Sequence, residues 1–112
     1  MKEMIKFRYA LAEFLDKFYS SSNSERVKMV SKNPFPEFKD KRIQAYIAAT
    51  VEELCYRYNL EIPEWVNDKK YFLKEPFFLT EIESIKPFLL VESPLSFKRR
   101  NIFVSSNVLV RV

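Results

Sequence analysis

Apolar positions across residues 41–59, KRIQAYIAATVEELCYRYN, recur at three- and four-residue steps. Ile43, Tyr46, Ile47, Thr50, Val51, Leu54, Cys55 and Tyr58 share one face of an α-helix about five turns long. Gln44, Ala48, Glu52, Glu53 and Arg57 fall on the opposite face, which reads as solvated. Asp40 is placed to cap the start, and Asn59 to take the left-handed position that glycine usually fills. The stretch reads as the central helix of a small helical domain.

The same spacing predicts a first helix over residues 2–20, with Ile5, Leu11, Phe14, Leu15, Phe18 and Tyr19 inward and Met4, Phe7 and Ala10 widening the stripe. So wide a stripe invites a helix–helix homodimer. Serines 20–24, interrupted by Asn23, end that helix and cap whatever follows, because their side chains compete for backbone hydrogen bonds. A short helix over residues 25–32 comes next. Residues 33–39, NPFPEFK, break regularity with two prolines, and Phe35 and Phe38 pin the break to the core. After the central helix, Leu60, Ile62 and Trp65 are expected to dock back on it, with Pro63 opening a helical turn. Residues 67–80 are irregular and rich in aromatics.

Thr80 with Glu83 forms a capping-box pattern ahead of Ile82, Ile85, Phe88, Leu89 and Val91. Pro87 inside this run predicts a kink or a later start. Ser93–Pro94 opens another short turn that Asn101 ends. Residues 102–104 read as a single edge strand, and Ser105 or Ser106 caps a last turn over residues 107–112.

Composition narrows the chemistry. Zero glycine in 112 residues excludes phosphate loops and dinucleotide fingerprints, which need glycine for close backbone approach. Zero histidine removes the commonest general base and metal ligand. The single cysteine, Cys55, excludes an intramolecular disulfide and a cysteine zinc site, and its place on the apolar face predicts a buried, inert thiol. A net charge of +4 with mixed signs is too mild to argue nucleic-acid binding alone. No window reaches about 18 uncharged apolar residues, so no membrane span is expected. Lys2, Glu3, Lys6 and Arg8 do not open a cleavable signal sequence, and the expectation is a cytoplasmic protein.

Two constellations stand out. Lys98, Arg99 and Arg100 are the densest positive cluster, flanked by Phe97 and Phe103. They suit phosphate or an acidic protein surface, or simply a solvated helix end. Trp65, Phe72, Phe77 and Phe78 suit a partner-facing aromatic surface, or the second half of the core. Glu52, Glu53, Glu81 and Glu83 lack the spacing of any metal loop.

The second half resembles a pattern of small uncharacterised bacterial proteins and domains. It is carried by Ile62-Pro63-Glu64-Trp65-Val66, Tyr71-Phe72-Leu73, Pro76-Phe77-Phe78, Glu92-Ser93-Pro94 and residues 97–104, FKRRNIFV. Some such sequences follow helix-turn-helix domains or accompany nucleotidyltransferase-type toxins. The resemblance implies an accessory, regulatory or antitoxin-like role and brings no catalytic residues. Asn33-Pro34-Phe35-Pro36 replaces the short turn of a helix-turn-helix in the first half.

The expectation is therefore one all-α domain over residues 1–112, of roughly four to six helices with an irregular aromatic-rich segment. Functionally, it is a non-enzymatic protein-interaction module contacting its partner through Trp65, Phe72, Phe77, Phe78, Lys98, Arg99 and Arg100. The alternative is a nucleic-acid-binding regulator with Lys98, Arg99 and Arg100 on phosphates. No cofactor, metal or catalytic residue is assigned.

Overall fold

The computed structural model describes residues 2–79, 83–105 and 108–109. Among them the fold is all-α apart from one short strand pair, with helices α1 (Lys2–Ser20), α2 (Asn23–Val30), α3 (Lys41–Arg57), α4 (Lys86–Glu92) and α5 (Leu95–Lys98). No helix among the described residues is long and apolar enough to cross a membrane.

Helix α3 is the axis, and it is buried far beyond one face. Every residue from Ala45 to Cys55 is buried, including Ala48, Glu52 and Glu53 from the side expected to be solvated. Ala45, Ala48 and Ala49 remove side-chain bulk, so neighbouring segments close over the helix from several directions. Helix α1 contributes Phe7, Leu15 and Phe18, and of its large apolar residues Ile5 and Tyr9 stay exposed. Phe7 meets Phe35, Phe38 and Tyr46 edge-on at 6.1, 5.6 and 5.5 Å, the geometry ring quadrupoles favour.

Helix α2 starts earlier than expected. Ser22 accepts from Glu25 N–H as its cap, so Asn23 and Ser24 already belong to it. Its Arg26 donates to the Phe18 and Tyr19 carbonyls at 2.8 and 2.9 Å and so caps the end of α1. The same guanidinium lies 4.3 Å from the Tyr58 ring centroid.

The proline-broken segment is ordered by side chains acting on backbone. Asn33 Oδ1 accepts from Phe35 N–H, and Gln44 Nε2 donates to the Phe35 and Phe38 carbonyls. The Glu3 carboxylate takes the N–H groups of Lys39 and Asp40. A chain that cannot form a ladder must pair its polar groups in this way. Asp40 caps α3 as expected, accepting from Arg42 N–H at 2.8 Å.

Asn59 lies at φ 55 and Asn101 at φ 67, so asparagine fills two left-handed positions in a chain without glycine. Short 3₁₀ turns follow α3 at Glu64–Asn67 and Lys69–Tyr71. Leu60 packs partly against the core, whereas Ile62 stays exposed, and Trp65 Nε1 donates to the Val30 carbonyl of α2 at 2.9 Å.

The expected lone strand at residues 102–104 has a partner. Strand β1 (Phe77–Phe78) pairs in parallel with β2 (Ile102–Phe103), in register Phe77 with Ile102 and Phe78 with Phe103. Helix α4 starts at Lys86, so Pro87 sits in its first turn and the later start holds over a kink. The Thr80 cap and most of the last turn over residues 107–112 lie outside the described residues. Buried Ser93 ties α4 to the strand end, its hydroxyl accepting from Val104 N–H at 2.9 Å.

Candidate functional site

The basic run at residues 98–100 divides three ways. Lys98 Nζ donates to the Val91 carbonyl at 3.2 Å, a cation on the end of α4. Arg99 Nη1 reaches both oxygens of Glu52 at 3.0 Å, and its Nη2 donates to Asn67 Oδ1. Arg100 has no exposed surface. It pairs with Glu52 Oε1 at 2.7 Å and donates to the Ser96 and Val66 carbonyls at 2.7 Å. Both guanidiniums lie over the Phe72 ring, at 5.2 and 4.7 Å. Burial pulls Arg100 below its usual pKa, and Glu52 opposes that shift. Glu52 is thus the counter-charge of an internal clamp joining α3, α5 and the first 3₁₀ turn.

The aromatic residues divide as well. Trp65 is half-buried, held by Val30 and edge-on to Tyr71 at 5.4 Å. Phe78 stacks on Phe103 at 5.0 Å across the strand pair, with Lys86 Nζ 5.2 Å from its centroid. Phe72 and Phe77 alone of the seven candidates enter the lining of a groove of about 990 Å³.

This groove runs between residues 33–44 and residues 69–77. The head of α3 and the loop before it supply Lys39, Lys41 and Arg42, and the facing segment supplies Lys69, Lys70 and Lys74. Phe38, Tyr71, Phe72 and Phe77 give it an aromatic base. Six basic residues thus face one acidic residue, Glu75. Arg42 is committed: it holds Asp40 through two contacts and lies 5.3 Å from the Phe77 centroid. That hydrogen bonding keeps the Asp40 carboxyl below the usual carboxylate range. Lys70 Nζ lies 5.2 Å from the Tyr71 ring. Lys39, Lys41, Lys69 and Lys74 are exposed and have no ion-pair partner among the described residues. Asn33 and Gln44 satisfy one another and the adjacent backbone, and Asn33 also donates to the Tyr71 hydroxyl.

Local density missed this site. Its lysines come in ones and twos from two segments, and folding brings them together. Aromatic residues interleaved with Lys69, Lys70 and Lys74 were the available signal.

Among the described residues no three potential ligands gather to hold a metal ion. Cys55 is buried, and burial with Glu52 nearby pushes its thiol up to about 11, away from nucleophilic use near neutrality. No family model, curated protein or solved structure matches the chain.

Proposed function

We propose that this protein is a non-enzymatic binding module that captures an anionic partner in the groove at the head of α3. The observation that carries the reading is the charge of the lining, six basic residues to one acidic, with five lysines lacking a counter-charge among the described residues. A cytoplasmic, accessory or regulatory role suits a module of this kind. Retention on immobilised heparin tests it. Joint substitution Lys41→Glu with Lys69→Glu is expected to bring elution to clearly lower salt, and Lys98→Glu to change it less. An equal or larger effect at Lys98 sinks the groove as the contact surface.

A second surface supports a protein partner. Phe88, Val91 and Leu95, on α4 and α5, are 68, 79 and 74 % exposed, and Leu90 is 47 % exposed. These exposed apolar side chains sit on two consecutive helices. A second copy of the chain is the partner tested. Sedimentation velocity is expected to show a concentration-dependent dimer that Val91→Glu abolishes; a monomer at all concentrations removes this reading.

A further inference from the structure

We infer that the anionic partner of the groove is a single-stranded nucleic acid, held by its phosphates on the lysines and by base stacking on the exposed parts of Phe72 and Phe77. The inference rests on the anionic-partner reading above and adds to it the partner's chemistry.

The lining separates a strand of phosphates from a carboxylate peptide. Arginine forks match carboxylates and phosphates alike, two oxygens at once, so with no free fork the choice between the two rests on the rest of the lining. The one arginine of the lining, Arg42, already spends its fork on Asp40. What remains free are lysines, mobile point charges that suit a repeating backbone whose phosphates need no fixed geometry. A carboxylate side chain has no ring to stack on the aromatic base, whereas every nucleobase offers a face that does. Phe72 and Phe77 are half-buried in the lining, so part of each ring is open to the groove. Arg42 lies over the Phe77 ring and Arg99 and Arg100 over Phe72, so a base stacks on the ring surface those guanidiniums leave open or on the guanidinium plane itself.

The same geometry argues against a duplex. Duplex reading needs a protruding helix or ribbon to enter a major groove. Here α3 is buried along most of its length, and the basic side chains line a concavity. A single strand, with its bases unstacked and turned out, fits a concave, aromatic-based site.

Fluorescence anisotropy on the full chain tests the proposal. The probes are short labelled oligothymidylate and oligouridylate, an abasic oligomer with the same number of phosphates, a short duplex and an oligoglutamate of matched charge. The base-bearing single strands are expected to bind tightest, with affinity falling steeply as salt rises. Lys41→Glu with Lys69→Glu is expected to weaken them about tenfold or more and to flatten the salt dependence. Phe77→Leu is expected to weaken the base-bearing strands by roughly fivefold to a hundredfold, while Phe77→Tyr, which keeps a ring, binds as the natural chain does. The abasic oligomer needs no change to the protein, so its weaker binding reads stacking even if Phe77→Leu fails to fold. Equal affinity for the abasic and base-bearing strands, tighter binding of the duplex, or tighter binding of oligoglutamate would overturn the single-strand inference and leave the anionic-partner reading standing. No binding by any probe overturns both.

Discussion

Two groups of basic residues in this chain share a charge and little else. Residues 98–100 are contiguous in sequence, yet folding turns Arg100 fully inward and clamps Arg99 on the same carboxylate, Glu52. Lys39, Lys41, Lys69 and Lys74 are scattered in sequence, yet folding sets them around one concavity with no ion-pair partner among the described residues. Charge density along a chain measures how many cations are near each other. What they do depends on where the nearest anion sits in space, and for Arg99 that anion lies 47 positions away. Cations with an internal anion hold the fold together, and cations without one are available to a ligand.

That contrast breaks most sharply at Glu52. Glu52→Ala leaves the Arg100 charge buried without its counter-ion, which costs about 3–5 kcal/mol in comparable buried pairs. Chemical denaturation is expected to show a loss of that order or a failure to fold. A loss within about 0.5 kcal/mol, as at an ordinary surface site, would mean Arg100 belongs with the solvated cations after all.

The next effect sharpens the picture of α3 as a buried axis. An unfolded thiol releases its proton near pH 9, whereas buried Cys55 holds it up to about 11. Stability from this group is therefore full below pH 9 and lost as pH rises through 11. Each tenfold difference in proton affinity between the folded and unfolded chain is worth about 1.4 kcal/mol, so the loss approaches roughly 2–3 kcal/mol. The fall in stability across this window is expected to be correspondingly smaller in Cys55→Ala; an unchanged fall would assign it to other groups.

A smaller effect is expected at Arg57, whose Nε holds buried Glu53 at 2.7 Å from the helix's last turn. Arg57 is itself partly exposed, so Arg57→Ala is expected to lower stability by about 1 kcal/mol, read from the denaturation midpoint. A loss beyond about 3 kcal/mol would show that Glu53 depends on this arginine as strongly as Arg100 depends on Glu52. The smallest effect completes the contrast. Lys69→Glu is expected to change stability by less than about 0.5 kcal/mol while weakening capture of a polyanion. A large destabilisation there would make the groove lysines structural as well.

Most of the fold was legible because it rests on local rules. The period of α3, the Asp40 cap, the left-handed Asn59 and the inert Cys55 follow from spacing and side-chain chemistry over a few residues. The reading failed where a distant segment supplies the partner. Periodicity sees one helix at a time and puts Glu52 and Glu53 on a solvated face, while α5 and the first 3₁₀ turn cover that face. The β1–β2 pair joins residues 25 apart in parallel, and two-residue strands carry no alternation to detect. Of the seven candidate contact residues, Phe72 and Phe77 line the groove, while the lysines beside them are too sparse along the chain to stand out against the denser run at residues 98–100.

Trp65 is the chain's single tryptophan, and it touches two things of interest at once. Its indole N–H bonds the end of α2, and its ring meets Tyr71, which also lines the groove. The molecule thus carries its own optical probe. Its emission reports the docking of α2 when the protein unfolds, and the occupancy of the groove when a ligand shifts Tyr71, with no label attached.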